Sequence, residues 1–157
     1  MTRVCLVGAE DVRLRADLLG YETARRALST YDLLVPWTNT VAVETISLGA
    51  AVSLCNDLNW YLVRLTEDAF ILEPSISEEE WVSRPLATEI RNEETDPAET
   101  GELLKIYGVA EPEEEGGLSR LTEPMYAQRV GESIPEYDLH PVDETVTIRV
   151  TGAEFGG

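Results

Sequence analysis

Apolar residues are densest between positions 40 and 72, and their spacing changes twice within that region. From 41 to 46 two sets of side chains alternate, Val41, Val43 and Thr45 against Ala42, Glu44 and Ile46, which predicts a strand with one face more buried than the other. From 48 to 58 apolar residues recur at helical spacing, which predicts a helix. The runs 60–65 and 69–72 flank three polar residues and predict two strands joined as a hairpin. We expect this region to form the core.

The N-terminal segment opens with a short apolar strand pattern, residues 3–7, that ends at Gly8. Apolar residues between 14 and 28 then have helical spacing, but Gly20 interrupts them. The pattern fits either one helix with a weak point or two shorter helices. A strand, a glycine and a helix can open a dinucleotide site, yet that fingerprint needs three glycines and only Gly8 is present. A plain strand-to-helix turn is the simpler interpretation.

A helix start is predicted at Ser77. Its hydroxyl can accept a hydrogen bond from a free amide of the first turn, and Glu80 can return the bond three residues later. Ile76, just before this cap, can pack against Trp81 in the helix as a hydrophobic staple. Pro85 then either ends this helix or begins a second one.

Two strands are predicted in the C-terminal half. Residues 103–109 carry apolar side chains on both faces, and residues 145–151 alternate strictly, so we expect the last strand to pair into the main sheet. Between them, residues 111–117 combine glutamates with proline and glycine and predict an exposed acidic loop or linker. Residues 152–157 are expected to be a flexible tail.

These elements predict an α+β fold. A chain of 157 residues is long enough to form one domain without a disulfide or metal. We therefore expect a single domain over residues 1–157, with a mixed sheet of about five or six strands and helices mainly on one face.

The chain is strongly acidic. Its 30 Asp and Glu residues outnumber its 12 Lys and Arg residues, the net charge is −18, and Lys105 is the one lysine. At low salt such a charge repels itself and weakens the folded state, whereas in molar salt the Debye length falls to about 3 Å and the repulsion is screened. The composition therefore indicates adaptation to a salty cytosol.

One long run carries a resemblance to a known family. The run NTVAVETISLGAAVSLCNDLNW, residues 39–60, together with residues 3–8 and 104–108, resembles a family of uncharacterised small acidic proteins from halophilic archaea. The similarity covers residues 1 to about 110. It implies salt adaptation and no assigned activity.

The cysteines and the apolar segments indicate a cytoplasmic protein. Cys5 and Cys55 lie in apolar segments without CxxC spacing, which predicts buried thiols in a reducing compartment. The N-terminus lacks the layout of a signal peptide, and charged residues interrupt the longest apolar span. We expect no membrane partner.

The sequence predicts no catalytic residue, metal or cofactor. His140 is the one histidine, which excludes a His-paired nucleophile or a multi-histidine metal site within one chain. Acidic neighbours of His140, namely Asp138, Asp143 and Glu144, could hold a hard cation, or they could simply form a polar turn before the last strand.

The candidate binding site lies where the core helix meets the next predicted strand. Polar groups stand beside two aromatic rings there and could line a cleft for a ligand or a partner, namely Asn56, Asp57, Asn59, Trp60 and Tyr61. In the alternative, Asn59 ends the helix in a left-handed conformation and Trp60 belongs to the core.

Two function classes follow. The first is a non-catalytic interaction or regulatory domain with a protein partner, because no catalytic motif is present. The alternative is an enzyme that uses carboxylates with a bound metal or a small-molecule substrate. The negative charge argues against nucleic acid as a partner, but salt adaptation weakens that argument because it makes most proteins acidic.

Overall fold

In the computed structural model, which describes residues 1–156, eight strands form one mixed sheet. The strands are β1 Thr2–Gly8, β2 Thr40–Thr45, β3 Thr66–Leu72, β4 Trp81–Ser83, β5 Leu103–Ala110, β6 Arg120–Leu121, β7 Met125–Gln128 and β8 Glu144–Arg149. The helices are α1 Leu14–Gly20, α2 Glu22–Leu28, α3 Leu48–Asp57, α4 Asn59–Leu65, α5 Arg84–Arg91 and α6 Gly152–Gly156.

The strand order is β2-β1-β3-β4-β8-β5-β6, and β7 also pairs with β5. Every pairing is antiparallel except that of β4 with β8. The predicted single α+β domain is confirmed, with more strands than the five or six expected. The additional strands are the short ones, which give too few residues for alternation to be recognised in the sequence.

Helices α1 to α5 cover one face of the sheet, as predicted. They pack on strands β1 to β4 because each presents an apolar stripe at helical spacing. The largest fully buried side chains of this layer include Leu14, Leu18, Val52, Leu58 and, from the sheet, Ile71.

The opposite face of β1 and β3 is covered by the sheet itself, which curls over. Cys5 of β1 and Phe70 of β3 pack in one cluster with Tyr107 of β5 and Ile148 of β8. The curl brings the two ends of the sheet together, since the backbone amide of Thr38 donates to the carbonyl of Ser119 at 2.9 Å. Residues 37–38 precede β2 and residues 118–119 precede β6, so the rolled sheet is nearly closed at this point.

The N-terminal helical region is two helices, one of the two arrangements that Gly20 allowed. Tyr21 lies between α1 and α2 with extended backbone angles, φ −94° and ψ 125°. The break turns the chain and places the ring of Tyr21 next to α4.

The predicted hairpin is wrong, because residues 59–65 form helix α4 and β3 begins only at Thr66. Leu58 and Leu62 are buried one helical turn apart, Tyr61 and Leu65 are half-buried on the same side, and Trp60 is exposed. This spacing is helical. The continuous run of apolar residues hid it, since a run without polar gaps fits a strand or a helix equally well.

The predicted helix start at Ser77 is also wrong. Its hydroxyl accepts from the amide of Glu80 at 3.0 Å, as expected of a cap, but the chain continues into β4. The helix begins at Ser83 instead, whose hydroxyl accepts from the amide of Leu86, and Pro85 lies in its first turn. Residues 81–83 are buried on both faces at the centre of the sheet, which outweighs the local capping signal.

An ionic clamp of three residues, Glu80, Arg129 and Arg149, fixes the C-terminal half to the sheet. Nε of Arg149 donates to Oε1 of Glu80 at 2.8 Å, and Nη2 of Arg129 donates to Oε2. Arg129 also donates to the carbonyl of Gly101 at 2.8 Å, and Arg149 to the hydroxyl of Thr100 at 3.1 Å. The clamp therefore joins four segments that are far apart in the sequence.

Strand β8 pairs with β4 on one side and β5 on the other, so the last strand lies inside the main sheet, as its alternation predicts. Residues 111–117 hold no helix or strand. In the predicted tail, 152–157, helix α6 covers residues 152–156, and Phe155 packs on the cluster inside the curled sheet. Gly157 lies outside the described residues.

Candidate functional site

An aromatic surface, defined here as Tyr21, Trp60, Tyr61 and Arg64, lies on the helical layer. The ring centroid of Tyr21 is 5.9 Å from that of Trp60 and 5.1 Å from that of Tyr61, and Trp60 and Tyr61 are 5.2 Å apart. The guanidinium carbon of Arg64 lies 3.7 Å from the centroid of Trp60, and its Nη1 donates to the carbonyl of Trp60 at 2.7 Å. These mutual contacts hold the rings in a fixed arrangement.

This surface is open to solvent. Trp60 is 51% exposed, and Val63, on the next turn of α4, is 69% exposed. An indole ring is among the largest apolar groups of a protein, and leaving half of it in water gives up a large part of its burial energy. Trp, Tyr and Arg are also the residue types enriched at the centres of protein interfaces.

The five residues predicted as a binding site are divided by the structure. Trp60 and Tyr61 join the aromatic surface, whereas Asn56 and Asp57 are exposed at the end of α3, and Oδ1 of Asn56 accepts from Arg84 at 3.3 Å. Asn59 begins α4 and is not among the residues with positive φ, so the left-handed cap considered for it is wrong.

Tyr21 and Arg64 were not predicted as site residues. Arg64 follows Trp60 by four residues, a spacing that places two side chains together only on a helix, so the mistaken strand over 60–65 concealed the pair. The contact of Tyr21 with α4 depends on tertiary packing and has no local signal.

An ionic cluster, defined here as Asp68, Lys105 and Tyr107, lies at one end of the curled sheet. Oδ2 of Asp68 accepts from the hydroxyl of Tyr107 at 2.6 Å and from the ammonium of Lys105 at 2.9 Å. Phe70 belongs to the cluster inside the curl, and Asp68 lies two positions before it on β3, hence on the same face. Asp68 therefore holds the one lysine of the chain at an open end of the curled sheet.

The electrostatics of this cluster favour a fixed pair of opposite charges. Burial alone would lower the pKa of Lys105, but the Asp68 carboxylate outweighs it and the pKa is raised. Burial and then Asp68 raise the pKa of Tyr107 far above its usual range, so the phenol stays protonated. Burial and the negative charge of Asp68 also raise the pKa of the neighbouring Glu67.

A cleft of about 290 Å³ opens beside the ionic cluster. Its walls come from the end of α4, the start of β3, the start of α5, β5 and α6. The charged residues that line it are Glu67, Asp68, Arg84, Lys105 and Glu154.

The remaining reactive groups do not form a site. Both cysteines are buried free thiols, and burial raises the pKa of Cys5 to about 12 and that of Cys55 to about 11, which suppresses their reactivity. Nε2 of His140 lies 3.7 Å from a carboxylate oxygen of Glu123 at the surface. Within residues 1–156 no group of three or more His, Cys, Asp or Glu side chains could hold a metal ion.

The fold and these surfaces define a single-domain α+β protein with a curled mixed sheet, an exposed aromatic surface and an ionic cluster beside a small cleft. Residues 2–109, well over half of the chain, match a family of unknown function, DUF5804, and the chain belongs to this family. The expected membership of an uncharacterised family is thus confirmed. No curated protein and no solved structure matches the chain. Over the described part of the chain, no helix has the length and apolar character needed to cross a membrane.

Proposed function

We propose that this chain is a non-catalytic interaction domain of a salt-adapted cytosol, and that a protein partner binds its aromatic surface. The observation that carries the proposal is the exposure of Trp60 and Val63 beside two tyrosines and a stacked arginine. Asn56, Asp57 and Asn59 would form the polar edge of the contact, in keeping with the polar rim of protein interfaces.

The charge around the aromatic surface supports an acidic segment as the partner. Although the chain carries −18 overall, the helices that hold this surface are rich in arginine. Five exposed arginines lie on or next to these helices, namely Arg13, Arg15, Arg25, Arg26 and Arg64. They outnumber the two exposed acids of α1 and α2, Asp17 and Glu22, of which Glu22 pairs with Arg26 at 2.8 Å. A carboxylate-rich segment would be repelled by most of this protein and attracted here.

A salty cytosol makes such a surface useful. With a Debye length of about 3 Å in molar salt, long-range attraction between proteins is lost. Contacts must then rely on apolar burial, stacking and close hydrogen-bonded charge pairs, which are the interactions that exposed aromatic and arginine side chains supply.

The alternative, an enzyme working through carboxylates, has weaker support. The carboxylate of Asp68 is already held by Lys105 and Tyr107, and the Tyr107 side chain is buried. This arrangement favours binding over proton transfer, because neither the phenol nor the ammonium has a pKa near neutrality.

A matched pair of valine variants tests the proposal. Val63 and Val130 are 69% and 74% exposed, but only Val63 lies on the helix that carries the aromatic surface. In affinity capture from a salt-adapted lysate at molar KCl, we expect a single stoichiometric acidic protein to bind the parent and Val130→Asp. Val63→Asp and Trp60→Ala should capture at least tenfold less of this protein.

Three results would contradict the proposal. Equal capture by Val63→Asp and Val130→Asp would place the contact elsewhere. Loss of the partner after nuclease treatment would show that nucleic acid holds it. A dimer of the purified parent that Val63→Asp dissociates in light scattering would show that the surface binds a second copy of this chain instead.

A further inference from the structure

The cleft beside the ionic cluster combines charges of both signs in a small volume. It measures about 290 Å³, and its charged walls hold three carboxylates and two cationic side chains. We propose that this cleft binds a small zwitterion, with a free α-amino acid as the ligand class. The cleft adjoins the aromatic surface, because Val63 of α4 also lines it, but zwitterion binding does not require the protein partner proposed above.

The cationic wall can hold a carboxylate. The ammonium of Lys105 has three N–H donors, and among residues 1–156 its one ion pair is with Asp68, at 2.9 Å. The guanidinium of Arg84 makes two long contacts through Nη2, to the carbonyl of Cys55 at 3.2 Å and to Oδ1 of Asn56 at 3.3 Å. Both cations therefore retain donors that a bound carboxylate could accept from.

The acidic wall can hold an ammonium group. Oε1 of Glu154 already accepts from the hydroxyl of Ser83 at 2.5 Å and from the amide of Thr151 at 3.0 Å, and Asp68 is held by Lys105. Glu67 remains as the carboxylate exposed to the cleft. A bound ammonium beside Glu67 would offset its repulsion with Asp68, which supports its role as the anchor for the cationic end.

The mixture of charges selects against simpler ligands. A lone anion would meet three carboxylates, and a lone cation would meet Lys105 and Arg84, so each would carry one unfavourable set of contacts. A molecule with both charges a few ångströms apart satisfies both walls. The volume lies just below the roughly 300–1,000 Å³ of ligand pockets, which favours a small ligand over a drug-sized one.

Three probes of similar size separate these cases. L-alanine carries both charges, propionate carries only the carboxylate and ethylamine carries only the ammonium. In ¹⁵N–¹H correlation spectra of the full chain at molar KCl, we expect L-alanine to shift the amide signals of residues 66–69, 84 and 105 in a saturable way. Propionate and ethylamine should bind at least tenfold more weakly.

Two acid-to-amide variants complete the test. Glu67→Gln removes the exposed carboxylate of the cleft, and Glu44→Gln removes a surface carboxylate elsewhere. We expect Glu67→Gln to weaken L-alanine binding at least tenfold while the melting temperature stays unchanged, and Glu44→Gln to bind like the parent. Equal affinity for L-alanine and propionate, equal affinity for L-alanine and ethylamine, unchanged binding in Glu67→Gln, or the absence of saturable shifts would each overturn the proposal.

Discussion

The ionic clamp provides the sharpest test of what holds this fold together. Changing Glu80 to Gln keeps the shape and one acceptor oxygen but removes the charge that faces Arg129 and Arg149. The side chains of these three residues are only 15–18% exposed, so water cannot replace the lost carboxylate well. Both guanidinium groups would then share a half-buried site without a counter-charge.

The expected cost follows from these contacts. Removing one partner of a buried ion pair costs about 3–5 kcal/mol, and the residual exposure of the clamp reduces this to roughly 2–3 kcal/mol. For a chain of this length each kcal/mol lowers the melting temperature by about 2–4 °C, so we expect a decrease of roughly 4–12 °C. Urea unfolding followed by circular dichroism at a fixed KCl concentration measures the free energy directly.

Glu44→Gln is the matched control. Glu44 pairs with Arg3 at 2.9 Å, but these side chains are 45% and 40% exposed, so the expected loss is under about 1 kcal/mol. If Glu80→Gln costs no more than Glu44→Gln, the clamp does not stabilise the fold and the reasoning from burial fails.

The same residue predicts part of the acid sensitivity. Burial alone would raise the pKa of Glu80, but hydrogen bonds from Arg149 and Arg129 outweigh it and lower the pKa below its usual range. The stabilisation is therefore fully present above the unfolded-state pKa, about 4.3, and is lost as the pH falls through the lower folded-state pKa. Glu80→Gln should flatten this part of the stability profile, and an unchanged slope would contradict the assignment.

Four further outcomes follow from the sequence and the structure. The unfolding midpoint should rise steeply between low and molar KCl because the net charge is −18, and equal stability at both ends of that range would refute salt adaptation. A chain ending at Gly116 lacks β8, which pairs with two strands, so its circular dichroism spectrum should show loss of the fold. If its unfolding midpoint is unchanged, the C-terminal part does not contribute to the stability of the sheet. Asp57→Ala at an exposed helix end should cost well under 1 kcal/mol in urea unfolding, and a larger loss would reveal an unseen contact. Tyr107→Phe should cost about 1–3 kcal/mol in the same assay, because it leaves Asp68 with one partner fewer, and a neutral result would show that Lys105 alone satisfies the carboxylate.

The sequence predicts those elements whose local pattern agrees with their tertiary surroundings. Residues 145–151 alternate strictly, and β8 has one face against the interior of the curl, so pattern and packing give the same answer. Residues 60–65 are apolar almost throughout, so their pattern does not distinguish a helix from a strand. These residues form helix α4 because their buried side chains pack into the layer of helices that covers this face of the sheet.

The candidate sites are predictable only in part, for a related reason. Trp60 and Tyr61 are conspicuous because aromatic residues stand beside polar ones, and both lie on the aromatic surface. The ionic cluster and the clamp join residues at separations of 39 and 69 positions, as in Tyr107 with Asp68 and Arg149 with Glu80. Strand register creates these contacts, and no local spacing encodes register over such distances.

The near closure of the sheet matters for solubility. Open sheet edges expose unpaired amides and carbonyls that can pair with another molecule, and many proteins prevent this with charged edge side chains. In molar salt those charges act over only about 3 Å and deter neighbours poorly. Here Leu34 bridges to Ala42 along the outer side of β2, and the backbone of Thr38 reaches Ser119 beside the two-residue strand β6. Its own backbone thus covers part of the outer edges at β2 and β6, a protection against edge-to-edge aggregation that does not weaken as salt rises.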